Sequence, residues 1–262
     1  MRVATYNVNS IRIRLHCLDQ LAHDAKPDVI CLQETKVTDD AFPYDHAAEL
    51  GYRHVAVRGE KSYNGVAILS RHPFEAEERW NWWGQGDSRH LKVTFPDAFE
   101  LHCFYVPSGG PDPDPEKNPK FAHKLGFLDE MTAWAQDARL SGRKVAILGD
   151  FNVAPLENDV WNHKKIKRQV GHTPLESEKM ATLLDAGGFV DVGRRFVPPE
   201  EFLFTWWGYR HPQSFQKNYG WRLDHFWVTP PLAAHLQHHQ VLSQARAWAR
   251  PSDHVPVLVD LK

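Results

Sequence analysis

Residues 145–152 read VAILGDFN, an apolar run of four residues followed by a glycine and then by polar side chains. A short apolar run bounded by turn-forming residues is typical of a buried strand. Asp150 and Asn152 follow this run, so we expect them at the end of the strand, where a side chain is exposed but rigidly held. The stretch therefore predicts an apolar sheet that presents polar residues at its rim.

Four further stretches repeat this arrangement of an apolar strand beside polar residues. Residues 3–7 form a strand-like run, residues 28–32 lead into QETK, the strand near Leu101 leads into YVPSGG, and SDH precedes the last strand. The polar residues at these strand ends are Asn7, Glu34, Tyr105, Asp253 and His254. If the strand ends converge, these side chains and Asp150 form one oxygen-rich pocket.

The spacing of apolar residues along the whole chain predicts many strands and a few helices. Strands are predicted at 3–7, 28–32, 66–69, 91–95, 101–106, 145–148, 223–228, 241–247 and 255–261. Helices are predicted at 15–25, from Phe121 to Ala138, and around 180–184, and residues 107–119 are predicted to form a loop. We expect two packed sheets with helices outside, in a single domain spanning residues 1–262.

The composition is that of a globular protein and does not by itself indicate a nucleic-acid binder. Apolar residues make up 42% of the 262 residues and the formal net charge is −2. No apolar run approaches the roughly 18 residues of a membrane-spanning helix, and the N-terminal pattern predicts no secretory signal. Three widely spaced cysteines (Cys17, Cys31 and Cys103) are expected to be buried free thiols. The basic cluster at 163–168 is either a solvated face or a phosphate contact.

The residue types at the strand ends suit one kind of chemistry. An Asn, a Glu, two Asp and a His offer the oxygen ligands that Mg²⁺ prefers, whereas zinc sites use His and Cys at tighter spacing. Phosphodiester hydrolysis needs a Lewis acid, a group that orients water and donors to the phosphate oxygens. Taken singly, each residue also has a structural interpretation, since GDFN suits a turn and an Asp-His pair is often structural. Their occurrence together at strand ends favours a catalytic site.

At these residues the chain resembles the exonuclease III / AP endonuclease family, a branch of the endonuclease–exonuclease–phosphatase superfamily. The segments that carry the resemblance are ATYNVNSIR (4–12), PDVICLQETK (27–36), NGVAILS (64–70), YVP (105–107), GDFNVAP (149–155), TWW (205–207), GWRLD (220–224) and SDHVPV (252–257). LQETK and GDFN recur across the superfamily, whereas the tryptophan segment and the GWRLD and SDH motifs are specific to this branch. The resemblance implies a DNase I-like α/β fold, a four-layered sandwich of two packed mixed β-sheets flanked by helices.

The resemblance also implies a function and a set of residues. The implied activity is a DNA-repair nuclease that hydrolyses phosphodiesters 5′ to abasic sites and at the 3′ ends of duplex DNA, with Mg²⁺ or alternatively Mn²⁺. The implied metal-site residues are Asn7, Glu34, Asp150, Asn152, Asp253 and His254, with Glu34 as the principal ligand. The implied catalytic residues are Tyr105, Asp150, Asn152, Asp224 and His254.

The resemblance assigns a separate role to each catalytic residue. Asp150 would activate or orient water, and Asn152 would fix the phosphate. His254, held by Asp224, would donate to a non-bridging oxygen, and Tyr105 would contact the phosphate or assist the leaving group. A histidine between a carboxylate and a phosphate keeps its proton more readily than a free imidazole, which suits a donor.

The expected DNA-binding residues are Lys36, Trp206, Arg210, Trp221 and Leu223. The last two and Trp206 resemble an apolar pocket that accepts a flipped abasic sugar, although tryptophans also pack cores. The chain departs from the family at Ser108, where Asn or Gln is common and a phosphate contact is weakened. The segment WNWWGQG (80–86) has no counterpart in the family; it is either a loop packed on the surface or an aromatic wedge against the duplex.

Two other functions fit parts of the sequence. A phosphatase of inositol phosphates or a sphingomyelin hydrolase would share the catalytic motifs but not the tryptophan segment. A non-catalytic DNA-binding homologue would gain nothing from keeping the carboxylates and His254 beside phosphate. We expect a cytoplasmic monomer, used at the nucleoid, that acts on duplex DNA with abasic sites or 3′ ends and has no membrane association.

Overall fold

The structure is a computed structural model that describes residues 1–137, 140, 142–211 and 213–262. Its strands, in chain order, are β1 (Arg2–Asn7), β2 (Val29–Gln33), β3 (His54–Arg58), β4 (Val66–Ser70), β5 (Ala76–Glu78), β6 (His90–Phe95), β7 (Phe99–Tyr105), β8 (Lys144–Asp150), β9 (Val190–Asp191), β10 (Asp224–Val228), β11 (Leu236–Val241) and β12 (Val257–Leu261). Its α-helices are α1 (Leu15–Asp24), α2 (Tyr44–Glu49), α3 (Pro119–Ala135), α4 (His163–Ile166), α5 (Pro174–Ala186), α6 (Val192–Phe196) and α7 (Pro230–Ala233).

The strands form two six-stranded mixed sheets. The first has the order β11-β12-β1-β2-β4-β3 and the second the order β5-β6-β7-β8-β10-β9. β1 runs parallel to β2, and β7 runs parallel to β8. β12 and β10 run antiparallel to β1 and β8, respectively. In each sheet, therefore, the carboxyl ends of two central strands and the amino end of a neighbouring strand lie at the same edge.

Alternating side chains build an apolar core on each side of a sheet, because successive strand residues point to opposite faces. In β2, Val29 and Cys31 pack between the two sheets, whereas Ile30 and Leu32 pack with the buried residues of α1. The outer face of the second sheet packs in the same way against apolar residues of α3 and α5. The molecule has four layers, helix–sheet–sheet–helix, and the predicted fold class is confirmed.

Most predicted elements are confirmed to within a few residues, and one strand prediction is wrong. β11 ends at Val241, and Ser243–Ala247 forms a 3₁₀ helix in place of the strand predicted at 241–247. β11 lies at the edge of its sheet and carries exposed Gln and His, so the apolar alternation that identifies a strand is absent from its sequence. The predicted α3 helix ends at Ala135, and Ala138 lies outside the described residues.

The tryptophan-rich segment at 80–86 packs on the second sheet and on α3. Trp82 is buried, with its ring 5.7 Å from that of Phe127. Trp83 stacks on His123 with an interplanar angle of 15°. Of the two alternatives for this segment, the structure shows the packed loop.

Three other features bear on the expectations from the sequence. All three cysteines are buried and free, as predicted. Among the residues that the structure describes, none of the helices combines the length and the apolarity needed to cross a membrane. The division of the chain into one domain stays a prediction.

Candidate active site

Polar side chains from both sheets meet at one edge of the sandwich. Asn7 ends β1, Glu34 follows β2 and Asp150 ends β8. The Asn7 Nδ2 atom donates to Glu34 Oε1 and to Asp150 Oδ2, each at 2.8 Å. Asn7 and Asp150 are both buried, so this single amide ties the rim of one sheet to the rim of the other.

Two of the site residues stand in strained backbone turns. Glu34 and Asn152 each have a φ of 53°, in the left-handed region that non-glycine residues seldom adopt. For Glu34 this conformation costs roughly 1–3 kcal/mol and persists only where the surroundings enforce it, whereas asparagine adopts it more readily. Both turns directly follow buried strands, which supply that enforcement.

Glu34 and Asp150 are the residues best suited to hold a cation, and His254 lies beside them. Each offers one ligand atom, and these atoms all lie within 4.8 Å of one another. Two carboxylates that face the same space repel each other unless a positive charge lies between them. The donor set fits a hard divalent cation that needs one or two carboxylates and completes its shell with water and substrate oxygens.

His254 stands between two carboxylates. Its Nδ1 lies 2.8 Å from Asp224 Oδ2 and its Nε2 lies 3.6 Å from Asp150 Oδ2. Burial disfavours the charged ring, but Asp224 and Asp150 outweigh it and raise the pKa of His254 to about 10. The Thr205 hydroxyl donates to the same Asp224 oxygen at 2.6 Å. The ring therefore carries two N–H donors at neutral pH, and Asp224 holds the one at Nδ1.

Asp150 has the most perturbed carboxylate of the site. Burial raises its pKa to about 7, and the charges of Asp224 and Glu34 add to the rise while His254 opposes it. Its Oδ1 accepts from the Asn152 backbone N–H at 2.8 Å. A carboxylate with a pKa near the working pH is suited to accept a proton from water.

Asn152 and Tyr105 flank this carboxylate on the second sheet. The Asn152 amide donates to the Val106 carbonyl at 2.9 Å and lies 3.2 Å from Asp150 Oδ2. Tyr105, at the end of β7, is 8% exposed. Burial raises its pKa well above the usual value, and Glu34 and Asp150 add to that effect. Its phenol thus keeps its proton and can donate to an anion.

Asp253 and Lys36 lie beside this group rather than within it. The Asp253 carboxylate accepts from Asn9 Nδ2 and from Trp206 Nε1, each at 3.0 Å. The Lys36 ammonium lies 2.8 Å from Glu34 Oε2 and donates to Asn9 Oδ1 at 2.7 Å. Part of the Lys36 charge is therefore already balanced within the rim.

An open groove adjoins the acidic rim. Its volume is about 720 Å³, and its lining includes Ser108, Lys165, Trp206, Arg210, Trp221 and Asp253. The Trp206 and Trp221 rings meet edge to face at 6.1 Å. Leu223 is buried in the same apolar cluster as these two rings. The sequence motifs that suggested a sugar pocket are thus together in space, with two cations at the groove.

Reasoning from the sequence missed three residues that organise the site. Asn9 joins Lys36 to Asp253 and lies within the opening motif, which was the only signal for it. Thr205 accepts from the backbone N–H groups of Leu223 and Asp224, both at 3.0 Å. The Arg89 guanidinium lies 4.8 Å over the Tyr105 ring, and no motif in the sequence marks it.

The convergence of the motifs agrees with comparisons to known proteins. The model of the endonuclease/exonuclease/phosphatase family matches residues 4–254. The chain belongs to this family. It is 29% identical to exodeoxyribonuclease III of Haemophilus influenzae, with complete coverage of both chains.

Two solved structures of family members resemble it over its whole length. A 3′ phosphatase from Neisseria, NExo, bound to a product DNA hairpin, is 32% identical with a TM-score of 0.91 and 99% of its chain covered. An AP endonuclease from Archaeoglobus fulgidus is 31% identical, also with a TM-score of 0.91 and 99% coverage. The family resemblance inferred from the motifs is confirmed.

Proposed function

We propose that the protein is a DNA-repair nuclease that hydrolyses the phosphodiester 5′ to abasic sites and the phosphodiesters at 3′ ends of duplex DNA, using Mg²⁺. The observation that carries the proposal is the contact between two features. A rim of Asn7, Glu34, Asp150 and His254 meets a groove walled by Trp206 and Trp221. The His254 and Trp206 backbones are bridged directly, so the phosphate chemistry and the sugar pocket share one wall.

The named relatives support both parts of this activity. The similar proteins include an exodeoxyribonuclease III, an AP endonuclease and a 3′ phosphatase solved with product DNA. Abasic sites and blocked 3′ ends are both DNA damage that must be removed before resynthesis. A single hydrolytic site that accepts a base-less sugar can serve both substrates.

Glu34, with Asp150 and Asn7 beside it, would hold the metal. When bound, Mg²⁺ supplies a Lewis acid that offsets charge on the phosphate. Burial is the main cause of the raised pKa of Asp150, and a divalent charge would offset the smaller contributions of the Asp224 and Glu34 charges. Asp253 would support a second, outer metal position. Its carboxylate already accepts hydrogen bonds from Asn9 and Trp206 and lies beside the first group.

The protein side chains divide the hydrolysis among them. Asp150 Oδ2 accepts a proton from the attacking water, and the Asn7 and Asn152 amides hold this carboxylate in place. His254 Nε2–H donates to a non-bridging phosphate oxygen while Asp224 holds the opposite face of the ring. The Tyr105 phenol approaches from the second sheet and can donate to a phosphate oxygen or to the leaving 3′ oxygen, whereas both N–H groups of the Asn152 amide are used by the Val106 carbonyl and Asp150 Oδ2. Donors fixed before the reaction stabilise the developing charge without reorganisation.

The groove supplies the substrate preference. An extruded abasic sugar presents an apolar ring with no base, and it fits against the groove wall that the Trp206 and Trp221 rings form together. Lys165 and Arg210 line the same groove and can meet phosphates beside the lesion. This arrangement explains how a chain with a net charge of −2 binds DNA, because the positive charge is local.

A substrate panel tests the proposal. The purified protein is incubated with a duplex containing one abasic site, a duplex with a 3′-phosphate, an intact duplex and an inositol phosphate, each with Mg²⁺ and with EDTA. We expect incision at the abasic site, release of phosphate from the second duplex, removal of nucleotides only from the 3′ ends of the intact duplex, no reaction of the inositol phosphate, and loss of every activity in EDTA. Glu34→Ala serves as the matched variant and should need far more Mg²⁺. Release of phosphate from the inositol substrate with no DNA cleavage would overturn the proposal.

A further inference from the structure

A buried ion pair lies behind the phosphate side of the candidate site. Lys124 of α3 and Glu176 of α5 are both completely buried, and Nζ lies 2.5 Å from Oε1. Burial lowers the pKa of Lys124, although Glu176 opposes the shift. Removing two charges from water is costly, and such pairs contribute little net stability unless further hydrogen bonds satisfy them. What this pair contributes therefore depends on the other groups that it binds.

Lys124 binds the backbone of two segments that border the site. Its ammonium donates to the Asn152 carbonyl at 2.7 Å and to the Ser108 carbonyl at 3.4 Å. With Glu176 as the third partner, all three N–H groups of the ammonium are used. Asn152 is the residue in the left-handed turn, and Ser108 follows the strand that ends at Tyr105. One side chain thus fixes both the turn that contains Asn152 and the segment that follows Tyr105.

Glu176 binds a third segment, which lies behind the groove. Its carboxylate accepts from the Gly171 N–H at 2.9 Å, from the Thr173 N–H at 3.0 Å and from the Thr173 hydroxyl at 2.7 Å. Gly171 has a φ of +95°, and a Cβ placed there would lie 3.2 Å from the Trp221 ring and 3.3 Å from the Asn152 carbonyl. The turn held by Glu176 therefore fits closely between Trp221 and Asn152.

We propose that Lys124 and Glu176 form a positioning pair that keeps Asn152 in register with the Trp221 wall of the groove. Neither side chain reaches the substrate, since both are completely buried, so they act through the backbone that they hold. The inference rests on the proposed function, because it assigns the pair to alignment of the phosphate with the sugar pocket. Misplacement of a positioned group by about 1 Å can reduce the rate by about a hundredfold.

The double variant Lys124→Met/Glu176→Gln tests the pair, since it removes both charges and leaves no unpaired ion. We expect kcat on an abasic duplex to fall by about ten- to a hundredfold while KM changes by less than about threefold. The preference for abasic over intact duplex should fall as well. Lys92→Met/Glu100→Gln is the control, because that pair is also largely buried, with 3.1 Å between Nζ and Oε2, and joins β6 to β7; it also removes the ion pairs of Lys92 with Glu78 and of Glu100 with Arg143. It should lower the melting temperature comparably and leave kcat unchanged.

The outcomes distinguish a failure of the positioning role from a failure of the proposed function. Wild-type kcat in the folded Lys124/Glu176 double variant, or an equal loss in both double variants, would overturn the positioning role. If the double variant fails to fold, Glu176→Asp keeps the charge and shortens the reach. It should again lower kcat with little change in KM, and unchanged kcat would overturn the role. A wild-type protein that cleaves neither damaged substrate overturns the proposed function and the pair's catalytic purpose together.

Discussion

At the scale of single residues, the burial of Asp150 has two consequences that point in different directions. An ionised carboxylate is poorly solvated at this position, so its pKa rises to about 7 and its basicity increases. The same burial means that the charge costs stability when no cation is bound. Function and stability are therefore in conflict at this side chain.

The first prediction tests the opposite effects of the Asp150 charge on activity and on stability. Asp150→Asn keeps the side-chain shape but removes the base, so kcat should fall by about 10²- to 10⁴-fold. The melting temperature in EDTA at pH 8 should change little, because the variant removes a buried charge but also an acceptor for the Asn7 and Asn152 amides. Binding to an abasic duplex in Ca²⁺ should persist. A variant that retains kcat would show that another group accepts the proton.

A second prediction concerns His254 and Asp224, which lie 2.8 Å apart. If Asp224 acts only by holding and charging the ring, its removal should have little further effect once His254 is absent. Single and double alanine variants are assayed on the abasic duplex under single-turnover conditions. The double variant should resemble His254→Ala. Losses that multiply would mean that the two residues act independently.

At the scale of elements, the sequence predicted the strand ends well because each combines a strong apolar run with polar residues at a fixed place. Glu34 and Asp150 could be identified in this way. Asp224 could not, since it begins its strand and has no apolar run before it; only the family resemblance indicated it. Thr205, Arg89 and the Lys124–Glu176 pair depend on contacts between distant segments, and nothing local marks such contacts.

Edge elements were the least predictable part of the fold. β11 and β9 lie at the edges of their sheets, and β9 has two residues. A strand of two residues is too short to show a period, and a strand with no buried face shows no apolar alternation. The central strands, buried on both faces, carried most of the information that the sequence held about the fold.

A third prediction separates the electrostatic contribution of the groove to DNA binding from the contribution of its shape. Lys165, on α4, faces the groove. Lys165→Ala should therefore reduce the slope of log K for DNA binding against log salt concentration by roughly 0.9, on abasic and intact duplexes alike. Trp221→Ala should leave the slope unchanged and lose discrimination for the abasic duplex. Lys36→Ala should reduce the slope less than Lys165→Ala, because Glu34 already neutralises part of its charge.

The control for this prediction is Lys144→Ala. Lys144 begins β8, six residues before Asp150 at the opposite end of the strand. It should change neither the slope nor the discrimination. Binding is measured in Ca²⁺ over a range of salt concentrations. An unchanged slope for Lys165→Ala would show that the DNA follows another path over the surface.

At the scale of the whole molecule, the same strands that present the site also bury titratable groups in the core. His225, next to Asp224 in β10, is 1% exposed and its Nε2 lies 2.8 Å from the Val153 carbonyl. Burial lowers its pKa to about 4, and Arg222 adds to the effect. The folded protein therefore resists protonation of this ring.

A fourth prediction follows for stability against pH. The unfolded chain binds a proton at His225 below about pH 6.5 whereas the folded chain does so only near 4, so stability is lost as the pH falls through this window. The loss should amount to roughly 3 kcal/mol at this one residue. Denaturant unfolding in EDTA at pH 7 and pH 4.5 compares the wild type with His225→Gln. Equal losses in both proteins would assign the effect to other groups.

The central claim is that both sheets together form one site where water, activated by Asp150 beside a metal, hydrolyses the phosphodiester 5′ to an abasic sugar. The most direct measurement is the identity of the ends formed from a duplex with a single abasic site, with Mg²⁺ and with EDTA. Hydrolysis predicts a 3′-hydroxyl and a 5′-deoxyribose phosphate, formed only with the metal and lost in Asp150→Asn. Cleavage that persists in EDTA and leaves an unsaturated sugar at the 3′ end would be β-elimination and would contradict the assignment.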